Sequence, residues 1–373
     1  MFRALIPLAL AAALSLAGWI GWGALRSPNA TPIVGFSAPF VFGRFAVPTD
    51  NPLTEEAFLL GRRLFYDPIL SGANQTACAT CHFQRLAFTD GQARSPSLSG
   101  GELPFSAMSL TNLMWGQERF FWNGRAETLE QQAVMPIVHP DEMAQAMDEL
   151  IEELRGSRTY RKMFRASYGE ISADNVGKAL ATFMRLLISA DSKYDSYLRG
   201  DTRLTAEEEY GRKLFMAHPD TKVSLRGGNC IDCHSQFLTS GFRGELDGFS
   251  NNGLDPEETL PDGLMEVTGN PAHRGFFKVP TLRNIAVTAP YMHDGRFQTL
   301  EEVMQHYNNG IAVSDTLSPL ILEADNAYGR AEDIVGLRLS ENEMDAIIAF
   351  LHTLTDETFL TNQRFADPFK GER

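Results

Sequence analysis

The sequence carries the string C-x-x-C-H twice, at residues 78–82 and at residues 230–234. In this string the two thiols bond to the vinyl groups of a haem, and the adjacent histidine becomes an axial ligand of the iron. A zinc half-site or a redox dithiol is the alternative for a single copy. Two complete copies that use every cysteine of the chain disfavour that alternative and leave no thiol for a structural disulfide. The sequence therefore predicts two covalently bound c-type haems, held by Cys78, Cys81, His82, Cys230, Cys233 and His234.

The length and net charge of the chain indicate how many domains it can form and which partners are unexpected. A chain of 373 residues has room for two domains, and its composition is that of a globular protein, with 43% hydrophobic and 21% charged residues. Its formal net charge is −14, whereas nucleic-acid binding needs a positive surface. Nucleic acid is therefore not an expected partner.

The N-terminus predicts export. Residues 4–25 are almost wholly apolar and follow Arg3. They are either a cleaved secretory signal, for which residues 15–17 offer a small-x-small site, or an uncleaved membrane anchor, since the apolar run continues past that site. We assign residues 1–26 to this segment and expect the body of the protein to be periplasmic.

An internal repeat surrounds the two haem motifs. Residues 61–65 (GRRLF) precede the first motif by 17 residues, and residues 211–215 (GRKLF) precede the second by 19. Each string follows a helix-start signal, at Thr54 and at the capping box Thr205-x-x-Glu208. The same amphipathic helix is therefore expected before each haem.

The downstream halves repeat as well. Residues 123–130 (NGRAETLE) match residues 294–301 (DGRFQTLE), and both contain a capping box, at Thr128 and at Thr299. Apolar spacing predicts another helix over 172–189 and a last helix that starts at Ser340. The predicted fold is mainly α, with two tandem cytochrome c-like haem domains and long loops, over residues 45–190 and 191–373.

Overlaying the two copies predicts that the two irons differ. Tyr307 lies 13 residues after Asp294, and the equivalent residue of the first copy is Pro136. Proline has no side chain that can ligate iron, whereas tyrosine ligates it in catalase. The haem held by His82 is thus expected to keep an open distal site, and the haem held by His234 to be closed by Tyr307. Met304 and His306, on the same predicted helix, remain competing ligands.

An open haem iron binds peroxide or dioxygen, and O–O cleavage needs an acid–base group that moves a proton between the two oxygens. The candidates around Pro136 are Gln132, His139 and Glu142. Glu142 follows Pro140, where the chain can turn back over the haem, and a glutamate shielded from water has a raised pKa. Trp122 precedes the first NGRAETLE copy at the position that His293 holds in the second, and its indole could carry a hole between the irons. We expect His293 to contact the second haem.

Together these residues resemble the bacterial dihaem cytochrome c peroxidase and MauG family, from about residue 48 to residue 368. The resemblance implies that Trp122 is the inter-haem tryptophan and that Gln132, Pro136 and Glu142 are active-site residues. It also implies one calcium ion between the domains, bound by the backbone carbonyls of Thr288 and Pro290 in the TAPYMH segment. The family's asparagine ligand has no clear counterpart, because its place falls near Ser106, with Asn112 six residues on.

Members of this family differ in the residue that serves as distal ligand of the second haem. Typical members have methionine at the position of Tyr307, and MauG-like members have tyrosine. The resemblance also implies that the open haem needs no reductive activation, because no histidine lies between His82 and His139. MauG itself has a surface tryptophan two residues before its second haem motif, where this sequence has Gly228.

The main functional hypothesis is a peroxidase that reduces hydrogen peroxide with electrons from a small redox protein, a cytochrome c or a cupredoxin. One alternative is a MauG-like oxidase that uses peroxide to modify a partner protein, for which Gly228 disfavours the known type of substrate. The other is a dihaem electron carrier without catalytic activity, which Pro136 disfavours because a carrier gains nothing from an open iron.

Overall fold

The computed structural model describes residues 47–115, 119–219, 226–238, 248–326 and 335–370, together with positions 33, 39, 42 and 45. It is mainly helical, as predicted. The first half of the chain forms α1 (Glu55–Tyr66), α2 (Leu129–Val138), α3 (Met147–Gly156), α4 (Arg158–Ser167) and α5 (Ala173–Arg185).

The predicted helix before the first haem motif is α1. It begins where the Thr54 side chain accepts a hydrogen bond from the Ala57 amide. The negative charges of Glu55 and Glu56 in its first turn stabilise the positive end of the helix dipole. It packs against α5 at Gly61, where a Cβ would lie 1.9 Å from the carbonyl oxygen of Ala179. Glycine is needed at the start of the GRRLF string because the two backbones approach so closely.

The second half repeats this arrangement. Its helices are α6 (Lys193–Arg199), α7 (Ala206–Met216), α8 (Cys230–Cys233), α9 (Met265–Thr268), α10 (Leu300–Asn309), α11 (Pro319–Asn326), α12 (Glu341–His352) and α13 (Glu357–Thr361). Here α7 packs against α12 at Gly211, where a Cβ would lie 1.7 Å from the carbonyl oxygen of Ala346. Gly211 therefore allows two helices to approach closely, as Gly61 does in the first half. This shared requirement explains why both strings begin with glycine.

Strand is scarce in the described residues. Strand β1 (Phe249–Ser250) pairs antiparallel with β2 (Phe277–Lys278), with Phe249 opposite Lys278. This short pair places Lys278 next to the segment that carries Trp122, since the Lys278 amide donates to the Trp122 carbonyl at 2.8 Å.

Most predicted helix starts are confirmed, including the capping boxes at Thr205, Thr299 and Ser340. Two details differ. The helix predicted over 172–189 ends at Arg185. At the start of α2 the Thr128 side chain accepts from the Gln131 amide as expected, but the Gln131 side chain accepts from the Glu127 amide, one residue before the cap.

Two main apolar cores form, one in each half of the chain. The C-terminal segment crosses back to the first core, where Phe359 and Phe365 are buried. The hydroxyl of Tyr66 in α1 donates to the Phe365 carbonyl at 2.8 Å. The segment that contains Phe359 and Phe365 thus connects the second half of the chain to the first core. The domain boundary at residue 190 stays a prediction.

The described residues include no helix that is both long and apolar enough to cross a bilayer. The predicted signal or anchor over residues 1–26 lies outside the described residues.

Candidate haem sites

A cavity of about 670 Å³ lies beside the first haem motif. Cys78, Cys81 and His82 form one wall, and Pro136 of α2 is on the lining too. Trp122, Gln132, His139 and Glu142 also line it. All the residues that the sequence assigned to the first haem are therefore brought together around one space.

Both motif histidines are oriented by backbone carbonyls. Nδ1 of His82 lies 2.6 Å from the Phe88 carbonyl oxygen, and Nδ1 of His234 lies 3.2 Å from the Pro280 carbonyl oxygen. A carbonyl only accepts, so each Nδ1 carries the proton and each Nε2 keeps a free lone pair. Burial lowers the pKa of His82 below its ordinary value and lowers that of His234 to about 4. Both imidazoles are thus neutral near pH 7, as an iron ligand must be.

Helix α2 lines the first cavity with Gln132, Ala133 and Pro136, and it brings one unsatisfied hydrogen-bond acceptor there. Pro136 lies in the last turns of α2, and Gln132 lies one turn before it. The Oε1 atom of Gln132 is buried and has no hydrogen-bond partner among the described residues. A buried acceptor on a cavity wall gains from a ligand that donates to it, since leaving it unpaired costs about 1–3 kcal/mol.

Glu142 is the acidic group of this cavity. Its Oε1 atom lies 3.8 Å from Nη2 of Arg125 and 3.8 Å from Nδ1 of His139, and its side chain is 21% exposed. Burial raises the pKa of the Glu142 carboxyl above its ordinary value, although His139 and Arg125 oppose the shift. The group therefore releases and takes up protons more readily near neutral pH than a solvated glutamate does.

A smaller cavity of about 190 Å³ lies beside the second motif, lined by Cys230, Cys233 and His234. Tyr307 of α10 lines it from the position that matches Pro136 of α2. The Tyr307 hydroxyl accepts a hydrogen bond from Nδ2 of Asn252 at 3.2 Å, and burial raises its pKa to about 12.

Met304 and His306, the other candidate ligands of the second iron, differ in position. Met304 is also on the lining of the second cavity. His306 is turned to the other side, where its Nε2 atom meets the Asn252 carbonyl at 3.1 Å. Of the two competitors, Met304 alone shares the cavity with Tyr307.

Trp122 lines both cavities. Its indole Nε1 donates to the Ser106 carbonyl at 3.0 Å, which fixes the ring between the two spaces. His293 lines the second cavity and stacks on Phe277, with ring centroids 3.7 Å apart. The two residues that the repeat pairs thus both line the second cavity.

The segment with the expected calcium ligands lies at the same junction. The Ala289–Pro290 peptide bond is cis. Ser106 binds the end of this segment, since its amide donates to the His293 carbonyl and its hydroxyl to the Met292 carbonyl. The Asn112 amide group instead pairs with the backbone of Ser189.

The residues present fit a c-type haem at each site. Each cavity has two thiols and an oriented, neutral histidine on one side and mainly apolar side chains around it. The first cavity has the larger volume and the polar side chains of Gln132 and Glu142 on its lining. The second cavity is smaller and has the phenol of Tyr307 on its lining.

Comparison with known proteins decides the family. Residues 55–203 match the family described as di-haem cytochrome c peroxidase. The methylamine utilization protein MauG of Methylorubrum extorquens is 36% identical over 83% of this chain and 81% of its own length. The chain belongs to the di-haem cytochrome c peroxidase family. Another relative, the cytochrome c551 peroxidase of Nitrosomonas europaea, is 33% identical over 80% of this chain and 79% of its own length.

The fold comparison agrees. A MauG-like protein associated with microbial copper homeostasis superposes with a TM-score of 0.75 at 35% identity, covering 90% of this chain and 99% of that one. The present chain is therefore a di-haem peroxidase with two c-type haems, an oxidoreductase that uses peroxide.

Three residues of these sites were missed from the sequence. Lys278 is buried and lines both cavities, with Nζ 2.7 Å from the Arg119 carbonyl oxygen. Arg125 faces Glu142, and Asn252 binds the Tyr307 hydroxyl. Arg125 could have been found from the sequence, because it belongs to the string N-G-R that the repeat shares in part. Lys278 and Asn252 do not belong to any motif identified in the sequence.

Proposed function

We propose that this chain reduces hydrogen peroxide at the haem held by His82 and receives the electrons through the haem held by His234. The observation that carries the proposal is the asymmetry of the cavities. The space beside His82 is the larger and has Pro136, Gln132 and Glu142 on its lining, whereas Tyr307 occupies the matching place beside His234. When bound, the first haem supplies an iron that accepts peroxide and takes up electrons.

The chain's own groups would manage the protons. The ionised Glu142 carboxylate would take a proton from one peroxide oxygen and return it to the other, which would leave as water. The raised pKa of Glu142 suits both steps, since the group must accept and then release a proton. Oε1 of Gln132, a buried acceptor without a partner among the described residues, would accept a hydrogen bond from the peroxide and so hold it in the first cavity.

Electrons would cross between the halves through Trp122. Its ring lines both cavities and is fixed by the hydrogen bond to Ser106. Tyr307 would close the second iron as a ligand, so that this haem stores and relays electrons without binding peroxide. The donor would be a small exported redox protein, a cytochrome c or a cupredoxin.

Substitution of Glu142 tests the acid–base role. Glu142→Gln keeps the size of the side chain and removes its titration. We expect both haems to remain attached and the reaction with peroxide to slow by about 100-fold, within the range usual for acid–base catalysis. Glu127→Gln, on an exposed carboxylate that pairs with Arg119, is the matched control. An unchanged rate in Glu142→Gln would remove Glu142 from the mechanism.

A second function is favoured by the MauG-like features. Tyrosine at position 307 and the similarity to MauG support an oxidase that uses peroxide to modify a partner protein. Gly228 leaves that activity without the surface tryptophan expected for the known type of substrate. The discriminating assay incubates the holoenzyme with an exported protein encoded beside it. A mass change of that protein only in the presence of enzyme and peroxide would favour the oxidase.

The remaining expectations are proposals too. The chain would be exported to the periplasm by residues 1–26, which stay either a cleaved signal or an anchor. A calcium ion between the halves would be bound by the carbonyls of Thr288 and Pro290, beside the segment that Ser106 holds. Ser106 would neighbour that site through its hydrogen bonds to the Met292 and His293 carbonyls, whereas both polar atoms of the Asn112 amide group pair with the Ser189 backbone.

A further inference from the structure

A row of aromatic rings leads from the second cavity to the surface of α6. Phe215 lines the cavity, and its ring centroid lies 5.3 Å from that of Phe237. Phe237 in turn lies 5.3 Å from Tyr194. Tyr194 stacks on Tyr197, with centroids 5.9 Å apart and ring planes inclined by 21°. No step of this row is longer than an ordinary aromatic contact.

The inner rings are closed to water and the last one is not. Phe215, Phe237 and Tyr194 are 2–3% exposed. A parallel path through Phe350 meets the same tyrosine at 5.2 Å, which makes Tyr194 the convergence point of two paths. Tyr197 is only partly buried, and the next residue, Leu198, is exposed. The row therefore ends at a phenol that a molecule in solution can reach.

Tyr197 also lies near a carboxylate. Glu209 of α7 has a pKa that is lowered first by Arg212 and least by the nearby Tyr197. Glu209 is held in place by Arg212, whose Nε and Nη2 donate to it at 2.7 and 2.8 Å. A phenol loses its proton when it loses an electron, so a fixed carboxylate near the hydroxyl favours its oxidation.

Among the residues that the structure describes, Tyr291 and Tyr210 lack that combination. Tyr291 lines the second cavity, but its hydroxyl donates to the Ile285 carbonyl, which is too weak a base to take the proton. Tyr210 is 45% exposed and lies outside the row of rings. Tyr197 combines an unbroken aromatic path, partial exposure and a nearby carboxylate.

We propose that Tyr197, reached through Tyr194, is the surface residue at which an oxidising equivalent of the second haem is delivered to a phenolic substrate or side chain. One electron passes from Tyr197 to the oxidised haem, and the phenolic proton passes to Glu209 and then to water. The neutral tyrosyl radical takes one electron and one proton from the external phenol, which leaves as a phenoxyl radical. The inference rests on the proposed function, because the peroxide reaction supplies the oxidant.

The test uses the holoenzyme with stoichiometric peroxide and the spin trap 2-methyl-2-nitrosopropane, without a donor protein. Trypsin cuts after Lys193 and Arg199, so both tyrosines fall in the single peptide 194–199, and fragmentation distinguishes them. We expect the trap on Tyr197 in the unmodified protein and its loss in Tyr197→Phe. We also expect the peroxide-oxidised haem spectrum to decay several-fold more slowly in Tyr197→Phe and in Tyr194→Phe, and addition of 4-methylphenol to speed the decay only where both tyrosines are present.

Tyr210→Phe is the matched control and should behave as the unmodified protein. A normal spectral response to peroxide with the trap on Tyr291 or Tyr307, or with an unchanged decay in Tyr197→Phe, overturns the inference and leaves the proposed function standing. No spectral response to peroxide overturns both.

Discussion

Replacing Arg125 should move the pH dependence of peroxide reduction. Nη2 of Arg125 lies 3.8 Å from Oε1 of Glu142, and its guanidinium carbon lies 3.7 Å above the ring of Phe121, which holds the cation in place. Arg125→Met removes the charge and keeps much of the side-chain volume. The Glu142 carboxylate then loses a stabilising cation, so its pKa rises.

The size of the shift follows from Coulomb's law. At 3.8 Å the attraction is about 4 kcal/mol at an effective dielectric constant of about 20 and about 1 kcal/mol in bulk water. The side chains of Arg125 and Glu142 are 29% and 21% exposed, so water and salt screen the pair, and the lower part of this interval applies. About 1.4 kcal/mol corresponds to one pKa unit.

The assay is the pH profile of the second-order rate with peroxide. The mechanism needs the ionised Glu142, so the rate falls as the pH drops through the pKa of this group. Arg125→Met should therefore move the acid limb of the profile upward by about one pH unit. Arg125→Lys keeps the charge and should leave the limb close to its original position.

Among the described residues, His139, at 3.8 Å, and the neighbouring carboxylate Asp141 also act on Glu142. Repeating the comparison in a His139→Asn background removes the nearby imidazole. An acid limb of Arg125→Met that coincides with that of the unmodified protein in both backgrounds would exclude an effect of the Arg125 charge on the pKa of Glu142.

Three further changes have defined outcomes. Tyr307→Phe should alter the visible spectrum of one oxidised haem only, and unchanged spectra for both would exclude the phenol as a ligand. Lys278→Met removes a buried cation that lines both cavities, so both midpoint potentials should fall in a spectroelectrochemical titration, and two unmoved potentials would contradict this. Gly211→Ala should lower the free energy of unfolding by about 3 kcal/mol in urea, because the new Cβ meets the Ala346 carbonyl, whereas Gly156→Ala, with open space around it, should change it by less than about 1 kcal/mol.

The repeat made the helices and the different linings of the two cavities predictable from the sequence. The strings at 61–65 and 211–215 lie in matching helices, and their glycines sit where those helices cross most closely. Counting along the second copy placed Pro136 and Tyr307 at equivalent positions of α2 and α10. Such spacing is readable because each motif and its helix are local in the chain.

Other parts depend on contacts between distant segments, which no local pattern records. Lys278 reaches both cavities because the strand pair β1–β2 brings it under Trp122. Asn252 meets Tyr307 from 55 residues away. The return of Phe359 to the first core likewise depends on packing between the two ends of the chain.

We infer that the haem beside Pro136 is open and ready in the oxidised protein, while Tyr307 closes the other. A visible and near-infrared spectrum of the fully oxidised holoenzyme, recorded before and after one equivalent of hydrogen peroxide, tests this arrangement. We expect a rapid change that involves both haems and needs no prior reduction. A spectrum that stays unchanged until one electron per protein has been added would contradict it.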